Sequence, residues 1–207
     1  DHNSLVMKID QSIRIFKWDF ILAKLPLGSV LVGGYIRDLI LDRIHNKPDV
    51  DIIVPNNALI VGKKIAEEFN GKFIVLDERR KVVRIVFDNF ILDLASQLKK
   101  SINDDLLSRD FTINSIGFSF TNKTILDPSQ GIQDIKKSLL RTHNSENLTM
   151  DPLRMLRGFR FRSELNFQID DTFINFVKNN KNKLKNISVE RIQYELKKII
   201  RGKEALK

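Results

Sequence analysis

The stretch from Val30 to Leu41 constrains the fold more than any other part of the chain. Val30-Leu31-Val32 is a short apolar run suited to a buried strand, and Leu39-Ile40-Leu41 forms the apolar body of a helix. Gly33 and Gly34 lie between them, at a strand-to-helix turn. Glycine there lets backbone N–H groups come close to a phosphate at the positive end of a helix. A second strand, Val50 to Val54, follows. Side chains on a strand alternate faces, so Asp49 and Asp51 point the same way. Aspartate is depleted in strands, and two on one face repel. A bound cation removes that repulsion, and two carboxylates beside a phosphate cradle suit Mg²⁺ carrying a nucleoside triphosphate.

The rest of the first half alternates short elements. Leu5, Ile9, Ile13, Phe16 and Phe20 recur at helical spacing, which predicts an N-terminal amphipathic helix. Ala58 to Phe69 reads as a helix stopped by Asn70-Gly71, and Phe73 to Leu76 as a strand. Val82 to Phe87 and Phe90 to Leu94 read as a hairpin about Asp88-Asn89. After about residue 132 only helices are expected: 132–139, 152–163 with Asp151 as N-cap, 171–180, and 188–201 capped by Ser188. The Asn/Lys-rich stretch 178–185 reads as a loop. The fold class is therefore α+β, with a domain boundary near residue 140.

Three further constellations carry chemistry. Asp93 interrupts the apolar run Phe90 to Leu94, where a carboxylate is costly unless paired or metal-bound. It is a candidate general base on an attacking hydroxyl, or a third member of the metal site. In Ser108 to Ser115, Arg109 is placed to meet a triphosphate, Asp110 to hold that arginine, and Asn114 to meet a nucleotide hydroxyl or base. Asp151 and Arg154 are three apart, hence neighbours on a helix, and Arg157 and Arg160 continue the row. A carboxylate beside a guanidinium offers both the acceptor and the forked donors needed to read the edge of a base.

Taken together, LVGGYIRD, PDVDI, SRDFTINS, LDPSQG and MDPLRMLRGFRF, followed by SELNF and ISVERI, resemble the class II tRNA nucleotidyltransferase and bacterial poly(A) polymerase family, from about Val30 to Ile200. The resemblance implies a nucleotidyltransferase (polymerase beta-like) head with a small mixed sheet over 1–140. An all-helical neck over 141–207, selecting the nucleotide and contacting RNA, would follow. It implies Asp49 and Asp51 as metal ligands and Gly34, Arg37 and Arg109 as triphosphate contacts. Asp151 and Arg154 would select the incoming base, with Arg157 and Arg160 nearby. The expected activity is template-independent transfer of CMP or AMP from CTP or ATP to the 3′ end of tRNA, with two Mg²⁺ ions. Two alternatives are a poly(A) polymerase and a non-catalytic RNA-binding remnant.

Three departures from the family pattern stand out. Met150 precedes Asp151 where the family has Glu-Asp, and Ser108 takes the place of the first arginine of Arg-Arg-Asp. Only fifteen residues, Leu94 to Ser108, separate Asp93 from Arg109. Family members that build the whole CCA end carry a longer segment there, so the short one resembles the CC-adding type. The family's helical body and tail regions do not follow, and the chain reads as a fragment or a truncated product.

Composition agrees with a polyanionic partner. The net charge is +9 over 207 residues, and Lys178 to Lys207 carries ten Lys/Arg against three acids, a run suited to an RNA backbone. With no cysteine, disulfides, cysteine zinc sites and thiol nucleophiles are excluded, and His2, His45 and His143 lack metal-ligand spacing. No secretory signal or membrane-length apolar run is visible, so a cytoplasmic location is expected.

Overall fold

The structure, a computed structural model, describes residues 2–43 and 45–202. Its packing divides the chain otherwise than at residue 140. One compact unit comprises 1–106 and 116–128, the other 107–115 and 129–207.

The first unit is built on a mixed sheet. Helix α1 (His2–Ile15) buries Leu5, Ile9 and Ile13, as the spacing predicts. It stops at Ile15, short of Phe20, because Lys17 adopts a left-handed backbone with φ of 55°. Phe20 lies in a 3₁₀ turn and packs its ring 4.5 Å from Phe69. There follow β1 (Val30–Val32), α2 (Gly34–Ile40), β2 (Asp49–Val54), α3 (Ala58–Glu68), β3 (Lys72–Asp77), β4 (Val82–Val86), β5 (Ile91–Ser96), α4 (Ile102–Leu107), β6 (Gly117–Ser119) and β7 (Thr124–Leu126). The strands form one seven-stranded sheet in the order β3-β4-β5-β2-β1-β6-β7. Strands β2 and β5 run parallel and every other neighbouring pair antiparallel. The β6–β7 pair was not expected. Its strands are three residues each and one begins at Gly117, too short for a period-two signal. A Cβ at Gly117 would stand 3.0 Å from Val30 Cγ1, a tight contact in this sheet.

The alternation within the central strands places the site. In β4, Val83 and Ile85 are buried while Arg84 is half-buried; in β5, Leu92 and Leu94 are buried while Asp93 is half-buried. In β2, Val50 and Ile52 are buried, Asp51 is half-buried and Asp49 exposed. Here one sheet face supplies core and the other carries charge, whereas beyond Asp51 the charged face becomes apolar, with Ile53, Val30 and Val32 buried against Leu106.

The second unit contains α5 (Gly131–Lys136), β8 (Leu139–Leu140), α6 (Glu146–Met150), α7 (Leu153–Leu165), β9 (Gln168–Ile169), α8 (Asp171–Asn180) and α9 (Val189–Arg201). It is not all-helical. Strands β8 and β9 pair in parallel, Leu139 with Gln168 and Leu140 with Ile169. Two residues per strand leave no periodicity to read. The stretch expected as a loop instead completes α8 and then forms a 3₁₀ turn over Lys181–Asn186. Ser188 occupies the N-cap of α9 without a side-chain bond to it. Helix α7 begins one residue later than expected, with Pro152 rather than Asp151 at its N-cap, although Asp151 Oδ1 still accepts from Leu153 N at 3.1 Å.

Residues 107–115 belong to this unit because Phe111 is in its core. The Phe111 ring stands 5.7 Å from Phe161 and 5.5 Å from Phe173, and all three are buried. Thr112 N donates to Arg141 O at 2.9 Å. Among the described residues no helix is long and apolar enough to cross a membrane. Residues 203–207 of the basic run lie outside the described residues.

Candidate active site

The carboxylate face of the first unit follows from strand register. Asp51 of β2 lies directly across from Asp93 of β5 in the parallel pair, and Arg84 of β4 directly across from Asp93 in the antiparallel pair. Residues in register share a face, and Asp49 shares it by alternation. The three aspartates therefore occupy adjacent strands on one face, as expected. They are not gathered into one ligand set, however: among the described residues no three Asp, Glu or His side chains form a group that would hold a metal ion. Asp93 has been taken by a residue that the motifs did not flag. Arg84 Nε donates to its Oδ1 at 2.8 Å and Nη2 to its Oδ2 at 2.7 Å. The Asp93 bond, then the nearby charges of Asp93, Asp49 and Asp51, hold the Arg84 pKa above its ordinary value despite partial burial. Asp49 and Asp51 supply hard oxygen donors two residues apart, a set that fits a divalent cation.

The glycine turn is more occupied than expected. Gly33 has φ of 81°, which favours glycine, but its N–H donates to Ile116 O at 3.2 Å and so serves the sheet. Gly34 makes room for Arg37: a Cβ there would lie 3.4 Å from the guanidinium. Arg37 is buried and pairs with Asp38, Nε to Oδ1 at 3.0 Å and Nη2 to the same oxygen at 2.9 Å.

In the second unit, Asp110 does not hold Arg109. It holds Arg157, whose Nε and Nη2 both reach Oδ2 at 2.7 Å. Its Oδ1 accepts from Phe111 N at 2.8 Å and Asn114 Nδ2 at 3.3 Å, so Asn114 is buried and turned inward. Burial pushes the Asp110 carboxyl up, but the charge and hydrogen bond of Arg157 outweigh it and hold the pKa down at about 2. Arg109 is half-buried, and its Nε is buried without a hydrogen-bond partner.

The row Arg154, Arg157, Arg160 is no solvated basic stripe; each member has its own fixation. Arg154 Nη1 donates to Ser108 O at 3.1 Å and Asn147 O at 2.7 Å. Arg160 is buried and meets Glu195 Oε1 at 3.2 Å. Desolvation, then the charge of Arg157, lowers the Arg160 pKa. Asp151 Oδ2 accepts from Arg191 Nη2 at 2.6 Å. Arg191 and Glu195, like Arg84, carry part of these constellations and were missed by motif reading.

Comparison with known proteins identifies the family. Residues 29–141 match the model of the Poly A polymerase head domain, and 166–207 that of a probable RNA and SrmB-binding site of polymerase A. A CC-adding tRNA nucleotidyltransferase of Synechocystis sp. is 36% identical over 176 residues, 85% of this chain and 42% of that protein. An A-adding tRNA nucleotidyltransferase of Halalkalibacterium halodurans is 29% identical over 95% of this chain and 48% of that protein. A solved CCA-adding enzyme with ATP superposes with a TM-score of 0.76 at 27% identity, covering 96% of this chain and 49% of that one. A tRNA nucleotidyltransferase complexed with a primer tRNA and an incoming ATP analog gives 0.74 at 27% identity, covering 86% and 54%. The chain spans about half the length of the relatives it matches. Dependence on a divalent metal is general among nucleotidyltransferases. By its head-domain match over more than half its length, the chain belongs to the poly A polymerase head-domain family, that of the class II tRNA nucleotidyltransferases and bacterial poly(A) polymerases.

Proposed function

We propose that the chain transfers a nucleoside monophosphate from CTP or ATP to the 3′-hydroxyl of tRNA. The observation that carries this reading is the register that sets Asp51 beside Asp93, with Asp49 on the same face. In the reaction the 3′ oxygen bonds to the α-phosphorus, the bond to the β-phosphate oxygen breaks, and pyrophosphate leaves. Asp49 and Asp51 would hold two Mg²⁺ ions, which supply acidification of the hydroxyl and neutralisation of the leaving group. Asp93 is the third carboxylate of that face and serves as general base only when Arg84 releases it. Arg37 and Arg109 contact the triphosphate, with Gly33 and Gly34 shaping the turn. The orphaned Arg109 Nε is a donor suited to an anionic oxygen. Asp151 and Arg154 read the base, with Arg157 and Arg160 held in place around them. Asp110 and Asn114 act by fixing Arg157. Functionally the head extends to about residue 140 and the neck over 141–207. A cytoplasmic location accompanies a tRNA substrate.

The nucleotide added is C. Strand β5 runs to Ser96 and α4 begins at Ile102. Leu106 is buried in a cluster with Val30, Val32 and Ile53. The residues between are tied down, with Gln97 N on Val54 O at 2.9 Å and Leu98 N on Asp105 Oδ2 at 3.1 Å. Little spare chain is left here to reposition the base-reading pair for A. The test supplies tRNA lacking its last three nucleotides with CTP, ATP, or both. Extension by C and arrest supports the reading. A complete CCA end refutes the C-only assignment, a long A tail identifies a poly(A) polymerase, and binding without extension identifies an RNA-binding remnant.

A further inference from the structure

Three adjacent strands carry one lateral row, Arg84–Asp93–Asp51, with Asp49 two residues further along β2. Neighbouring strands lie about 5 Å apart, so a fixed positive charge stands two strands from the carboxylate pair. Asp93 gives both oxygens to Arg84, and its side chain is 16% exposed. A planar guanidinium gripping both oxygens of a carboxylate fixes it far more firmly than a point charge does. We propose that Arg84 is a positioning residue that sets the cation affinity of this face, by withholding Asp93 as a ligand and offsetting the charge of Asp49 and Asp51. The proposal rests on the divalent-ion reading above.

The consequence is an ordered entry. Mg²⁺ seeks six oxygens and sheds water reluctantly, so two carboxylates alone hold it weakly. Triphosphate oxygens complete the set, and ion and nucleotide arrive together. With Arg84 removed, the face gains negative potential and Asp93 becomes free to ligate, so the ion binds without the nucleotide.

The test is a titration of the nucleotide-free chain with Mn²⁺, read by the electron paramagnetic resonance of the free ion. Arg84→Gln should bind Mn²⁺ roughly tenfold more tightly than the parent, the scale on which residues behind the first ligands tune metal affinity. The double variant Arg84→Gln/Asp93→Asn, which removes one charge of each sign, should return close to the parent. Added Mn²⁺ should raise the melting temperature of Arg84→Gln more than that of either other protein. If Arg84→Gln does not fold, Arg84→Lys carries the test, because it keeps the charge and loses the two-pronged grip; it too should bind more tightly. Equal or weaker binding by the variant, where the parent binds Mn²⁺ and Asp51→Asn removes that binding, overturns the role of Arg84 alone. Absence of Asp51-dependent Mn²⁺ binding in the parent and in every variant overturns the divalent-ion reading and this proposal with it.

Discussion

Replacing Asp110 by Asn should weaken the second unit, and by an amount that shrinks in acid. The Asp110 carboxyl is buried and held at about 2 against an ordinary value of 3.8, with Arg157 as the opposing charge. A folded value below the unfolded one contributes stability above the unfolded pKa and loses it as pH falls through the folded one. The shift corresponds to about 2 kcal/mol at neutral pH, of which about 1 kcal/mol is gone by pH 3. The substitution also leaves Arg157 without its hydrogen-bonded carboxylate, with only the charges of Glu195, at 4.0 Å, and Asp151 to offset it. Breaking a buried pair by removing one partner costs about 3–5 kcal/mol. A third of the Arg157 side chain reaches solvent, which places the expectation at the lower end, about 3 kcal/mol at pH 7.

The assay is urea unfolding at pH 7 and pH 3, followed by far-ultraviolet circular dichroism and by the fluorescence of Trp18. Trp18 is the single tryptophan and is buried in the first unit, so its signal separates the two units. Other carboxylates titrate in both proteins and cancel in the difference. The gap between parent and Asp110→Asn should narrow from about 3 kcal/mol at pH 7 to about 2 kcal/mol at pH 3. The double variant Asp110→Asn/Arg157→Met, which buries no unpaired charge, should recover part of the loss. A gap that stays constant or widens in acid would refute the reasoning, because an ionised Asp110 would then contribute nothing through its charge.

Asp51→Ala should abolish nucleotidyl transfer while leaving the fold intact, since it removes one of three like charges from a sheet face; a parallel activity assay and thermal melt check both halves. Arg154→Ala should blur the choice between CTP and ATP more than it slows the preferred nucleotide, as sites built on hydrogen bonds discriminate by leaving polar groups unpaired. It should also lose about 1–3 kcal/mol of stability, because the carbonyls of Ser108 and Asn147 lose a charged donor; an equal drop for both nucleotides would assign the residue to structure or phosphate binding. Gly158→Ala should cost about 1–3 kcal/mol or more in the unfolding of the second unit, because the new Cβ would be driven into the Phe173 ring and to 3.0 Å from Phe111; a neutral substitution would show that α7 can back away.

The first unit was legible where period-two alternation reports directly on chemistry. Asp49 and Asp51 could be placed on one face because a strand leaves no other arrangement. The pairing of Arg84 with Asp93 could have been found by the same logic. The turn Asp88-Asn89 fixes a hairpin, and Arg84 and Asp93 each lie four residues out from it, hence opposite one another on one face. The parallel pairing of β2 with β5 had no such local signal. A parallel neighbour is set by a crossover connection, and its register by packing that no turn announces.

The second unit was legible in its helices and opaque in its ion pairs. Asp110 and Arg157 are 47 residues apart, and nothing near either names the other. Adjacency favoured Arg109 as the partner, whereas the insertion of Phe111 between Phe161 and Phe173 decides which way Asp110 faces. One sign was present in the pattern. Ile192, Glu195 and Ile199 recur at three and four residues, so the inward stripe of α9 carries a carboxylate where an apolar residue is expected. Such a charge must be compensated, because an unpaired one would unfold the helix from its support. Glu195 is 2% exposed and lies 3.2 Å from Arg160 and 4.0 Å from Arg157. Periodicity could thus demand a buried cation opposite α9. Which arginine of α7 would answer depends on how the two helices cross, a property of side-chain volumes along their contact, such as the small Ser163 whose Oγ donates to Ile199 O at 2.7 Å, rather than of the charges themselves.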